Sequence, residues 1–214
     1  METRIESITP GGSEFNELSR LVQQRVDLLP AGLQAHIYRV RDMARQLAHR
    51  HGIDEEMAAL GMLAHDVARA MSDKDLLGRA NDLGLPIGLV ERQLPLLLHG
   101  PVGAEILQRE DGLTDQSLYR AVYWHTTAHP SLDELGKVVF LADKLDPEKI
   151  IYYPYLPQLR KLAMNDLDRG LLGFLNWETA ARLNRGELVH PVTVEARNSL
   201  LAASTANGAS TKKT

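Results

Sequence analysis

The stretch Ala58-Ala59-Leu60-Gly61-Met62-Leu63-Ala64-His65-Asp66-Val67-Ala68-Arg69 sets two adjacent ionisable groups in an almost wholly apolar run. Such a run reads as a buried helix. A lone carboxylate buried there costs several kcal/mol unless it is paired or metal-bound. Neighbouring helical residues point about 100° apart. A bidentate Asp66 could therefore bridge two metals while His65 takes one of them.

The same design recurs along the chain. His36 lies in Gln34-Ala35-His36-Ile37-Tyr38, His99 ends Leu96-Leu97-Leu98, His125 ends Ala121-Val122-Tyr123-Trp124, and Asp143 follows Phe140-Leu141-Ala142. Taken singly, each has an ordinary reading: a satisfied core histidine, a chance His-Asp pair, a helix-terminal aspartate. Six polar groups in five apolar contexts are costly to explain one at a time. Four imidazoles and two carboxylates suit a pair of divalent ions such as Fe, Mn, Co or Ni, whereas oxygen-only Ca or Mg sites would not need the histidines. The other histidines differ in setting. His49 and His51 flank Arg50 at a polar helix end, and His129 and His190 each precede a proline.

Outward from this core the chain reads as helix after helix, with apolar positions three and four apart. Expected helices are Glu14–Leu29, Ala31–Arg50 stopped by Gly52, and Met57–Met71 behind an Asp54 cap. A short one starts at Asp73 and ends at Gly84-Leu85-Pro86. Ile87–His99, interrupted at Pro95, then precedes Pro101–Gln108, Asp115–His125 and Leu132–Lys144. Tyr155–Asp166, Asp168–Asn184 and Thr193–Ala203 complete the set. The β-branched pairs are too short for a sheet, so the expected fold is all-α: a helical bundle over residues 31–203. Residues 1–30 form a leader and one further helix, and residues 204–214, small and polar, form a disordered tail.

Composition narrows the function. The 214 residues contain no cysteine, which excludes disulfides, thiol nucleophiles and cysteine-held metals. A net charge of −4 gives no overall basic character for nucleic acid. The acidic N-terminus is not expected to be a secretory signal. No apolar run approaches the ~20 residues of a membrane span, so the cytoplasm is the expected location. Apolar residues near Phe174 and Trp177 offer a surface through which two copies could join as a homodimer.

The order His36, His65-Asp66, His99, His125, Asp143 resembles the HD superfamily. His65-Asp66-Val67-Ala68-Arg69, Leu97-Leu98-His99-Gly100-Pro101, His125-Thr126-Thr127 and Leu141-Ala142-Asp143 are similar to the YqeK family in particular. The resemblance covers roughly residues 33–202. It implies a di-iron phosphohydrolase that cleaves diadenosine tetraphosphate symmetrically into two ADP. Within it, His36, His65, Asp66 and Asp143 would hold one metal, and Asp66, His99 and His125 the other. Arg69, three residues after Asp66, projects from nearly the same helical face and could clamp a phosphate oxygen. Thr126, Thr127, Lys149 and Arg197 are further candidates for phosphate contact, and Tyr152, Tyr153 and Tyr155 for stacking on a base. Departures from the family pattern are Asp146-Pro147-Glu148-Lys149, where Glu and Arg are usual at the first and last positions, Arg69 for Lys, and Ala128-His129 after the two threonines. The alternatives are hydrolysis of another nucleotide by the same chemistry, and a nucleotide-binding regulatory module.

Overall fold

Side chains that cap helix ends set several of the element boundaries. Asp54, Asp115, Asp133 and Asp166 accept backbone N–H groups at four helix starts, each such cap stabilising by about 1 kcal/mol. Gly52, at φ 68°, closes another helix in the left-handed conformation. The structure is a computed structural model describing residues 9–210; most of the expected leader, residues 1–8, and residues 211–214 of the expected tail lie outside the described residues. Among the described residues are eleven α-helices, two short 3-10 helices and no strand. The helices are α1 (Ser13–Asp27), α2 (Ala31–His51), α3 (Glu55–Ala64), α4 (Asp73–Asp82), α5 (Leu89–Gln93), α6 (His99–Glu110), α7 (Gln116–Trp124), α8 (Glu134–Lys144), α9 (Leu156–Asn165), α10 (Leu167–Asn184) and α11 (Pro191–Ser210).

α3 is the apolar centre of the bundle, packed against α2, α7 and α8. It buries Met57, Ala58, Leu60 and Met62 with Ile37, Val40 and Leu47 of α2 and Val138, Val139 and Leu141 of α8. The α3–α8 approach is close. A Cβ at Gly61 would lie 2.7 Å from Val139 Cγ2. α1 lays Phe15, Leu18, Val22 and Val26 onto the same core, and Arg25 pairs with Asp111 at 2.5 Å. None of the helices among the described residues is long and apolar enough to cross a membrane.

Boundaries differ from the sequence expectation at α3, α6 and α11, among others. The helix expected over Met57–Met71 stops at Ala64. His65 Nδ1 takes the Met62 carbonyl (2.6 Å), and the next residues continue as turns, with Arg69 N bonded to Asp66 O. α6 begins at His99 and carries Pro101 in its first turn, where a missing N–H costs nothing. α11 continues to Ser210, well past Ser204, so the tail expected to be disordered is helical over its first part; alanine-rich sequence propagates a helix already anchored by packing.

Candidate metal centre

The four histidines reach one point from four elements, each close to a helix end. His36 comes from the first half of α2, His65 and Asp66 from the turn after α3, His99 from the start of α6, and His125 from the end of α7. Their rings are packed edge to face, with centroids 5.7 Å apart for His36–His65, 5.0 Å for His65–His125 and 4.8 Å for His99–His125. Gly100 allows the last of these approaches. A Cβ there would meet Tyr123 O at 2.8 Å, Val122 O at 3.1 Å and His125 Cε1 at 3.2 Å.

Every one of the four imidazoles turns Nε2 inward and satisfies Nδ1 outward. Nδ1 of His65, His99 and His125 donates to the carbonyl three residues earlier, on Met62, Leu96 and Val122. His36 Nδ1 instead donates to Asp146 Oδ2 at 2.7 Å, and Arg39 holds that carboxylate from its other side. A donating Nδ1 leaves a lone pair on Nε2, the arrangement that orients histidines toward a metal. Asp146 is the residue that sequence reasoning missed in this role. Its signal was the aspartate found where the family pattern has glutamate.

Asp66 divides these nitrogens between its two oxygens. Oδ1 lies 3.0 Å from His99 Nε2 and 3.6 Å from His125 Nε2. Oδ2 lies 3.3 Å from His65 Nε2 and 3.9 Å from His36 Nε2. Two groups of metal-ligating geometry result, His36–His65–Asp66 and Asp66–His99–His125. Asp143 Oδ1 approaches His36 Nε2 to 3.2 Å, but Lys144 and Lys149 also bind this carboxylate, at 2.6 and 3.3 Å.

The residues fit a pair of cations. His65 Nε2 is buried with no hydrogen-bond partner. His99 Nε2 and His125 Nε2 face one another at 2.9 Å while both Nδ1 atoms donate elsewhere, so two lone pairs are opposed unless positive charge is shared between them. Burial would raise Asp66, but the neighbouring imidazoles of His65, His125 and His99 hold it well below the usual carboxylate range. Burial also opposes the charge on Asp143, and Lys144, His36 and Lys149 overcome it. Burial pushes His125 down to about 4, whereas for His36 the bonds to Asp143 and Asp146 outweigh burial and raise it to about 9. The site thus holds anionic carboxylates beside imidazoles of unequal basicity.

A cavity of about 430 Å³ opens beside Asp143, lined by Lys144, Lys149, Tyr152, Tyr153 and Tyr155 among others. Thr126 and Thr127 line it too, and the Thr126 hydroxyl is buried without a partner. These sequence candidates therefore come together. Two do not join them. Arg197, on α11, is occupied by Asn176 and Asn198 and lines neither this cavity nor the one next to it. Arg69 also lines neither, because the helix that was to carry it on Asp66's face ends at Ala64. Of the remaining histidines, His49 pairs with Glu55, His51 with Ala163 O and His190 with Glu91, while His129 stacks on Trp124. Phe174 and Trp177 flank the same cavity region: Phe174 lines it, and Trp177 packs on Tyr155.

Ala128 is the single non-glycine residue with positive φ among the described residues (60°). It follows the two threonines where the family pattern has glycine, which meets a left-handed backbone at no steric cost.

Residues 33–148 match the family described as HD domain. The chain is 30% identical over 169 residues to the symmetrical bis(5'-nucleosyl)-tetraphosphatase of Bacillus subtilis (strain 168), covering 79% of this chain and 89% of that protein. It is 27% identical to the Halalkalibacterium halodurans protein of the same description, covering 78% and 87%. The crystal structure of a predicted HD superfamily hydrolase involved in NAD metabolism from Clostridium acetobutylicum superposes with a TM-score of 0.79 at 26% identity, covering 88% of this chain and 97% of that one.

Proposed function

The chain belongs to the HD domain family of hydrolases, and on that premise we propose that it splits a dinucleoside tetraphosphate symmetrically into two nucleoside diphosphates at a two-metal centre. The observation that carries this reading is the division of Asp66 between two pairs of imidazoles, with Oδ1 serving His99 and His125 and Oδ2 serving His65 and His36. The relatives described as symmetrical tetraphosphatases supply the substrate class.

His36, His65, Asp66 and Asp143 would hold one divalent ion, and Asp66, His99 and His125 the other. Iron is the proposed metal, with Mn, Co and Ni accepted by the same donors. When bound, the ions supply a water acidic enough to act near neutral pH and offset charge on phosphoryl oxygens. The chain's own groups do the rest. The backbone carbonyls of Met62, Leu96 and Val122 fix three imidazole tautomers, and Asp146 fixes the fourth. Lys144 and Lys149, which touch Asp143 and line the cavity, receive non-bridging phosphate oxygens as point charges. The unpartnered Thr126 hydroxyl donates to the same chain. Arg69 makes no ion pair among the described residues and is a further cation for the outer phosphates. One water is consumed: its oxygen ends on one inner phosphorus, the bond from that phosphorus to the central bridging oxygen breaks, and the other diphosphate leaves.

Product analysis tests the reading. Protein loaded with Fe or Mn, given diadenosine tetraphosphate, is expected to yield ADP alone, and Asp66→Ala to yield none. ATP plus AMP as products would overturn the symmetrical assignment, and turnover of mononucleotides only would change the substrate class.

A further inference from the structure

A second cavity, of about 520 Å³, borders Thr126 and Thr127, as the first does. Both exceed the ~300 Å³ at which small-molecule sites begin. The two are contiguous: Val90, Leu97, Thr126, Thr127 and residues 188–190 border both. The 188–190 segment is tied down by His190 Nε2 to Glu91 Oε1 at 2.6 Å.

The two cavities share borders with different neighbours of the cluster residues. The first is lined by Lys144 and Lys149, which touch Asp143 on the His36 side. The second is lined by Leu98, adjacent in sequence to His99, and by Tyr123 and Trp124, adjacent to His125. Their linings differ in chemistry. The first combines Lys144, Lys149 and the paired Arg182 and Glu178 with three tyrosines and the Thr179 hydroxyl, which is buried and unpartnered. The second is mostly apolar, with Leu89, Pro86, Pro101, Tyr123 and Trp124 in its lining and Glu91 and His190, paired with each other, as its charged groups.

We propose that the two cavities seat the two nucleosides of one substrate, with the phosphate chain crossing the Asp66 cluster at Thr126. This deepens the dinucleoside tetraphosphate reading and rests on it. Although the two substrate halves are chemically identical, their seats are not. The first holds a nucleoside together with its phosphates through cations, and its tyrosines and Thr179 meet the base. The second holds the other nucleoside by aromatic and aliphatic contact, with little charge. A mononucleotide would therefore use the first seat, and only a molecule with a nucleoside at each end would use both.

The test separates the seats with metal-loaded, full-length protein. Leu89 is 69% exposed at the rim of the second cavity, so Leu89→Glu leaves folding intact, and Tyr123→Leu removes a ring while keeping apolar volume. Each is expected to raise KM for diadenosine tetraphosphate about tenfold, while the inhibition constant of ADP against the same reaction stays within about twofold. Tyr153→Leu, in the first cavity, is expected to raise both. KM and the ADP constant rising together in Leu89→Glu and Tyr123→Leu, or neither moving, would overturn the two-seat arrangement. Absence of cleavage by the wild type would instead sink the hydrolase reading, and Kd for the dinucleotide then replaces KM in the same comparison.

Discussion

Gly100→Ala puts the construction of the cluster to a test in which two physical effects oppose each other. Gly100 sits in the first turn of α6, where alanine is the better helix former by up to ~1 kcal/mol. Propensity alone therefore predicts a more stable protein. The contacts predict the reverse. The new methyl would lie 2.8 Å from Tyr123 O and 3.1 Å from Val122 O, roughly half an ångström inside van der Waals contact. Both are backbone atoms and cannot rotate away. Val122 O moreover carries the bond that orients His125. Overpacking of this kind costs about 1–3 kcal/mol, so the variant is expected to lose about 1–2 kcal/mol net of the propensity gain. Relief requires α6 to move off the end of α7, which parts His99 from His125. Metal affinity at that pair should fall about 10- to 100-fold. Urea unfolding of chelator-treated protein measures the first effect, and metal titration of refolded protein the second. A Gly100→Ala protein that is more stable than wild type and binds metal unchanged would refute the reasoning.

The remaining expectations concern the groups around the imidazoles. Asp146→Asn removes the carboxylate that orients His36, so one metal equivalent should bind about 10- to 100-fold more weakly while the other is retained; equal retention of both would deny Asp146 this role. In metal-free protein, His125 is held down at about 4, below its unfolded value, so its contribution is complete above the unfolded pKa of about 6.5 and is lost as pH falls toward 4. His36 behaves in the opposite sense: raised to about 9, it contributes fully below about 6.5 and its contribution is lost as pH climbs through 9. Urea midpoints across pH should thus decline on both limbs, and His36→Gln should flatten the alkaline one; an alkaline limb unchanged in that variant would contradict the assignment.

Much of this centre is legible in the sequence because its cost is legible. An ionisable group at the end of an apolar helix needs a reason, and His36, His65, Asp66, His99, His125 and Asp143 share one. Helix starts were equally readable where an aspartate caps them, as at Asp54. The break at Ala64 was not, because nothing in the composition of residues 58–71 interrupts a helix; the turn arises where His65 and Asp66 must both face the same point. That break also places Arg69 on a turn rather than on the helical face from which its role was read. Arg197 lies apart from the cavities for a different reason, since a sequence match cannot tell a cation beside a cavity from one bonded to Asn176. The role of Asp146 is tertiary: it follows α8 yet serves a histidine on α2, 110 positions away in the chain. The second cavity likewise draws on α5, the segment before α6, the end of α7 and residues 188–191, a combination that no local pattern announces.

The central claim is that Asp66 joins two metal sites, and metal stoichiometry tests it most directly. Elemental analysis of protein purified without chelator and reloaded with Fe or Mn is expected to give two atoms per chain, and Asp66→Ala, folded by circular dichroism, close to none, since one carboxylate serves both imidazole pairs. A single atom per chain in the wild type, or two retained by the variant, would contradict the account.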